Sequence, residues 1–417
     1  AIYSNDTTNV FNCQSPFNPE GDDTRFTEEM LRASVAEAAV PGMGAQLLQP
    51  GHGWIPWWDS KLLPLKEHEQ WFRDTFKVEP AIAVHKYLLN GGDLIGPFID
   101  ECHKHGNAAL ISYRVNDNHH LEWVVKGNPP AYSAHAINKF YVDHPEYRIK
   151  QPTEKDATLA KYRVHNWLFK EARQYKLDLI QEMLDSYPTL DGMELDFMRY
   201  PNYFPEGTPK EKRVQAMVEF ISAMRGKLDA LAKKTDGKHR YLGARVPIHE
   251  NDWENIGLDP KAWAKAGIEF FNLSPSYRMV QDMSVAALRK AAPKAKIYVE
   301  LTHTVQTWKF GGPGYDDHCW RRCTKEMFDT TARIAYAQGA DGVSFFNFVY
   351  YRAHGGYWSR KGPFNEPPFN YIPELTDKKE LEDAPGYFYL MANHELFGAK
   401  GMERSYQMDN IVPAKGN

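Results

Sequence analysis

The sequence predicts an α/β chain closed as a (β/α)8 barrel, on three observations. Eight short apolar runs alternate with longer segments of helical periodicity, the pattern of βα units and a parallel sheet. The long stretches left over, 49–92, 116–163, 303–323 and 349–385, each follow an apolar run. Insertions after strands fall on the face where barrel enzymes keep their active sites. No Gly-rich phosphate turn follows the first run, which argues against a doubly wound sheet. A barrel needs about 250 residues. With 417 residues and the surplus placed after strands, the expectation is one elaborated domain over 1–417.

The elements follow in order. Residues 1–4 form the first strand. Residues 26–40 are helical in pattern, with Thr27 before Glu28 and Glu29 as the cap region. The second strand is 43–48. A helix over 93–105 is closed by Gly106, the usual residue just past a helix end, and the third strand, 107–115, follows at once. Next come a helix over 165–187, a strand over 190–197, a helix over 210–234 and a strand over 241–246. A short helix, 260–266, ends at Gly267. The sixth strand is 268–273, followed by a helix over 285–292. The seventh strand is 296–302, followed by a helix over 324–338, and the last strand is 340–348.

The segment with most chemistry runs from Asp191 to Pro201. Side chains two apart on a strand share a face. Glu194 and Asp196 therefore point the same way, with Cα atoms about 6.6 Å apart, and Met193, Leu195 and Phe197 point outward to the helices. Two carboxylates on an inward face are costly to bury and should couple, one holding its proton more readily than the other. A general acid and its partner need that difference. Glu300, near the end of the seventh strand, is a second acid in an otherwise apolar run. The alternative reading of all three is structural: ion pairs with Arg199, Arg245 or Lys296.

Asp191-Gly192-x-x-x-Asp196 with Arg199-Tyr200-Pro201 resembles the fourth-strand motif of glycoside-hydrolase-like barrels related to families 10 and 13. Glu101–Gly106 before the third strand, Arg114-Val115-Asn116-Asp117 at its end, and Leu242–Pro247 with Gly257, Asp259 and Trp263 are similar in order and spacing. The segment is also similar to the family 18 pattern D-x-x-D-x-D-x-E. It departs from that pattern at Glu194 and Met198, so the substrate-assisted mechanism is not carried over. The resemblance implies hydrolysis of a poly- or oligosaccharide by two carboxylates, without metal or cofactor. Asp196 is the first choice, and Glu300 and Glu194 compete to be its partner. Asp196 and Glu300 also resemble, in position, the carboxylates that clan A retaining glycosidases place on strands four and seven, and that resemblance implies retention of configuration.

Sugar contacts are expected from His52 and Trp54 after strand two, and from Arg114, Asn116, Asp117 and His119 after strand three. Arg199, Arg245, Tyr277, His303, Asn347 and Tyr351 lie at or after the ends of the later strands. Long loops suggest a pocket and exo action, and a basic, aromatic eighth loop suits an acidic or sulfated glycan. Asp117, His119 and His120 have ligand chemistry, but no second cluster in the sequence completes a metal shell. Two alternatives stay open: a catalytically silent carbohydrate-binding barrel, and a metal-dependent hydrolase.

A net charge of −4 gives no reason to expect a nucleic-acid partner. No run of 18 apolar residues provides a membrane span. Twenty-three Tyr, 22 Phe and 11 Trp argue against disorder. No G-x-S-x-G elbow or P-loop is present, which removes the serine esterase and NTPase classes. A start at Ala1 suits a mature secreted or periplasmic product. Cys319 and Cys323 allow a local disulfide or two free thiols, and the sequon at Asn272 sits in a strand that reads as buried.

Overall fold

The computed structural model describes residues 1–306, apart from 152, 156–158, 200 and 277, then 320–351, 367–389 and the short strands 394–395, 403–404 and 412–414. Eight parallel strands close into a barrel, each paired with its neighbours and the last with the first. They are β1 (Ile2–Asp6), β2 (Ala45–Gln49), β3 (Ala108–Arg114), β4 (Gly192–Asp196), β5 (Tyr241–Pro247), β6 (Phe270–Ser274), β7 (Lys296–Thr302) and β8 (Gly342–Phe346). Each of the eight predicted runs is one of these strands. The first runs two residues further than its pattern suggested, which brings Asp6 into the sheet.

The surrounding helices are α1 (Glu28–Ala38), α2 (Leu65–Phe76), α3 (Ala83–Leu89), α4 (Ile95–Lys104), α5 (Lys170–Ser186), α6 (Lys210–Lys234), α7 (Pro260–Ala266), α8 (Val285–Ala291) and α9 (Lys325–Ala337). Their starts follow local chemistry. The side chains of Thr27, Asp259 and Thr324 accept from the backbone N–H of Met30, Ala262 and Met327, satisfying donors that a helix start leaves over. The insertion after β2, expected as loop, carries α2 and α3. None of the described helices is long and apolar enough to cross a membrane.

Alternation along the strands separates two interiors. Outward residues such as Ile111, Met193, Leu195 and Ile297 pack under the helices in the large apolar core. Inward residues near the strand starts, Ile2, Leu47, Leu110 and Phe270, form a separate small cluster backed by Ala45, Ala108 and Tyr298. This apolar plug closes the barrel from below. Above it the inward residues turn polar: Ser112, Glu194, Asn272, Glu300 and Ser344, then Asp6, Gln49, Arg114, Asp196 and Arg245.

The plug depends on a missing side chain. A Cβ on Gly243 would stand 2.1 Å from the Phe270 ring. Gly243→Ala is therefore expected to displace that ring and cost about 1–3 kcal/mol, the usual penalty for overpacking. Urea unfolding of the variant beside the parent checks this; equal midpoints would show that the plug is loosely packed.

Candidate active site

The polar interior is built around Arg245 on β5. Its Nε donates to Glu300 Oε2 at 2.6 Å and its Nη2 to Glu300 Oε1 at 2.9 Å. Its Nη1 reaches both oxygens of Asp196, at 3.2 and 3.1 Å. The guanidinium lies 4.1 Å from the centroid of the Phe346 ring. Ser274 adds a hydroxyl to Glu300 Oε1 at 2.7 Å. Glu194, one step deeper on β4, accepts from Ser112 Oγ at 2.8 Å and from Asn272 Nδ2 at 3.0 Å. Asn272 Oδ1 in turn accepts from Ser344 Oγ at 2.5 Å. Asn272 is thereby committed inside the barrel, where its sequon has no use.

Three carboxyl groups surround this one guanidinium, and each of the four side chains is at most 1% exposed. An excess of acids over cations in so dry a place favours carboxyl groups that keep their protons. Burial raises Glu194 from the ordinary carboxyl range to about 7, opposed by Arg245 and reinforced by Asp196. Burial also raises Glu300, against the pull of Arg245. Burial alone would lower Arg245, but Glu300 and Asp196 hold it well above its usual value.

A second ionic group closes the other side of the barrel mouth. Arg114 Nη2 donates to Asp6 at 2.6 Å and to Gln49 at 2.9 Å, and its Nη1 donates to Asp117 at 2.9 Å. Arg199 also pairs with Asp6. Asn347, with φ 55°, holds Asp6 from β8: its Nδ2 donates to the Asp6 carboxylate at 3.0 Å, and its Oδ1 accepts the Asp6 backbone N–H at 2.8 Å. Burial would raise Asp6, but Arg199 and Arg114 keep it well below the usual carboxylate range.

Outside the barrel mouth, an imidazole cluster gathers on the loops after β2 and β3. His119 Nδ1 lies 2.6 Å from Asp117 Oδ1. The His52 ring stacks on His119 at 4.7 Å between centroids and meets the His135 ring edge-on at 4.4 Å. His120 lies 5.2 Å from His135. Burial, then the neighbouring imidazole, keeps His52 and His135 well below the ordinary histidine range. Asp117 is held well below the carboxylate range by His119, His52 and Arg114, despite its burial.

The residues expected to act on substrate thus divide. Glu194, Asp196, Arg245 and Glu300 form one network, and Arg114, Asp117, Arg199 and Asn347 form the group beside it. Trp54 is not a free sugar platform: it is buried, its N–H donates to the Asp117 carbonyl at 3.1 Å, and the Lys176 ammonium stands 3.6 Å over its ring. A loop this long needs an apolar base of its own, and Trp54, Trp57 and Trp58 supply it. Asn116 is a loop clamp, its amide donating to the carbonyls of His165 and Asn202 at 2.8 and 3.0 Å. His303 is buried after β7. Tyr277 and the side chain of Tyr351 lie outside the described residues, as do Arg352 and His354. Cys323 is a buried free thiol, and Cys319 lies outside the described residues.

Sequence reading missed Asp6, Ser112, Asn272 and Ser344. Ser112, Asn272 and Ser344 are polar residues at alternate positions of apolar runs, a signal weighed only for the acids of β4 and β7, and Asp6 lies just past the run read as the first strand. It also missed that His52 and His135 arrive beside Asp117 and His119, so the absence of a second cluster in the sequence was not an absence in space.

Linkage gives a direct prediction. A carboxyl whose folded value, about 7, exceeds its unfolded value of about 4.5 binds its proton more tightly in the native state. It therefore adds stability that is complete below about pH 4.5 and is lost as pH rises through about 7. Glu194→Gln should remove this dependence, worth roughly 3 kcal/mol at most. Urea unfolding of parent and variant at pH 5 and pH 8 should show the parent losing more stability than the variant. Equal losses would contradict a proton held on Glu194.

No protein-family model matches the chain, and no curated protein matches it. Among solved structures it is similar to catalytic domain 2 of a Group II chitinase from Ostrinia furnacalis, at 10% identity over 90% of this chain and 95% of that one, with a TM-score of 0.47. It is also similar to a family 18 N-acetylglucosaminidase from Paenibacillus barengoltzii, at 11% identity, covering 90% and 99%, with a TM-score of 0.43. A third similar structure is YKL-39 in the presence of chitooligosaccharides, at 11% identity, covering 91% and 98%, with a TM-score of 0.47. Matches this distant say nothing about substrate, and the (β/α)8 architecture rests on the strand pairing described above.

Proposed function

We propose that the chain is a glycoside hydrolase whose chemistry is carried by Glu194 and Asp196 at the C-terminal end of β4. The observation that supports this most is the pairing of two inward carboxyl groups two residues apart, one raised to about 7 and the other held by the Arg245 guanidinium. Glycosidic hydrolysis needs one carboxyl that keeps a proton near neutrality and one that does not. In this reading Asp196, nearer the strand end, faces the reacting centre as the carboxylate. Glu194, beneath it, supplies and recovers the proton.

Glu300 fits a different role. The Arg245 guanidinium stands between it and Asp196, filling the gap that a sugar ring or attacking water would need. Glu300 is then the residue that orients Arg245, and Arg245 orients Asp196. The finer features follow from depth and charge. Carboxyl groups set below the strand ends suit a chain end better than a chain middle, hence exo action. Each inner guanidinium is already paired with a carboxylate, so a neutral sugar fits better than an acidic one.

The same bridging favours a second reading, a barrel that binds carbohydrate without cleaving it. A panel of neutral, uronic and sulfated oligosaccharides, analysed for both binding and products, separates the two. Hydrolysis is expected, with Asp196→Asn lowering turnover per folded molecule at least about a hundredfold. Binding without products would support the silent barrel. Unchanged turnover in Asp196→Asn would remove that residue from the chemistry.

A further inference from the structure

We propose that His52, Asp117 and His119, completed by His135, bind a divalent transition-metal ion of the zinc class at the edge of the barrel mouth. Among the described residues, one donor atom from each of His52, Asp117 and His119 lies within 4.8 Å of the other two. Tetrahedral coordination with bonds of about 2.0–2.1 Å sets donors about 3.3 Å apart. Closing these three onto one ion therefore takes side-chain movements of about 1 Å. One carboxylate among imidazoles is the donor chemistry that zinc and its neighbours prefer, and that calcium and magnesium do not.

The second observation is the histidines that hydrogen bonding leaves unanswered. His135 is 9% exposed and both its ring nitrogens are buried without a hydrogen-bond partner. His52 is 6% exposed and its Nδ1 is buried in the same condition. Their rings touch, with centroids 4.4 Å apart. A buried polar atom with no partner is costly, and each neutral imidazole has one nitrogen with a free lone pair, so these two rings call for a ligand that accepts lone pairs. Asp117 and His119 already hold each other, so they do not answer the other two rings.

The backbone is arranged to bring His52 there. It is flanked by Gly51 and Gly53, both at φ 76°. A Cβ on Gly53 would stand 2.3 Å from the Arg114 carbonyl oxygen. The buried Lys176 ammonium on α5 donates to the Gly53 carbonyl and, at 3.2 Å, to the Arg114 carbonyl, fixing the His52 loop to the end of β3. Asp117 is held from behind by Arg114, as carboxylate ligands of metals are commonly held by an outer hydrogen bond. His119 is 28% exposed on its side chain, so an ion here would have a path from solvent.

This site is separate from the Glu194–Asp196 pair, and its test reads metal rather than activity. The full chain, stripped with chelator, is titrated with Zn2+ against a chromophoric competitor, and separately with Co2+. One equivalent of Zn2+ is expected, with a rise in melting temperature and the intense visible absorption of low-coordinate Co2+. His52→Ala and His119→Gln should each weaken Zn2+ binding at least about tenfold, while His103→Ala, at a surface histidine paired with Asp191, should not. His119→Gln, at the most exposed ligand, keeps the test valid if His52→Ala fails to fold. Binding well below one equivalent in the parent, or equal affinity in His119→Gln and the parent, would overturn the proposal.

Discussion

Arg245 stands at the end of β5 with Glu300 on one side, Asp196 on the other and the Phe346 ring against its face. Four strands meet at one planar cation. A guanidinium has five donors in a rigid fork and cannot shed its charge, which is why it can hold two carboxylates at once in a place without water. Removing such a group from a buried network usually costs 3–5 kcal/mol, because the charges it leaves have no other partner. The third carboxyl, Glu194, is the one the cation does not satisfy directly. It is met by a serine hydroxyl and an asparagine amide, whose hydrogen bonds favour the charged form but are outweighed by its burial.

This constraint explains how the interior is layered. An apolar plug of Ile2, Leu47, Leu110 and Phe270 seals the lower end, so the polar layer opens in one direction only, toward the ends of the strands. The second ionic group, Asp6 and Asp117 with Arg114 and Arg199, balances its own charge and so leaves the excess acid on the β4 side. Phe346 lies near both Arg199 and Arg245, at 5.6 and 4.1 Å from its ring centroid, and separates the two groups. The asymmetry between a balanced group and an acid-rich one is what gives Glu194 an unusual proton affinity. A barrel interior with matched charges throughout would lack it.

The barrel was legible because its signal is local. Strands buried on both faces read as continuous apolar runs, and acids at alternate positions of such runs stand out. The inward direction of Glu194, Asp196 and Glu300 follows from the two-residue period alone. Helix ends were legible where chemistry marks them, as at Thr27, Pro260 and Thr324. What was not legible depends on folding distant segments together. Trp54 reads as an aromatic platform, but whether its ring meets a sugar or Lys176 is decided by α5, more than a hundred residues away. Arg245 was weighed as a partner for the β4 acids and for Glu300, yet its simultaneous hold on Asp196 and Glu300 appears only when β4, β5 and β7 close the same cylinder. His52 and His119 stand out singly in the sequence, but their meeting with His135 appears only when the loops after β2 and β3 come together.

The central claim is that the acid-rich group around Arg245 carries a proton on Glu194 near neutral pH. Infrared titration of the folded protein measures it directly, through the carbonyl band of a protonated carboxyl group. The account predicts a band that disappears with a midpoint near pH 7 and is missing from Glu194→Gln. A protein whose last such band vanishes near pH 4.5, the ordinary glutamate value, or a band that survives in Glu194→Gln, would contradict it.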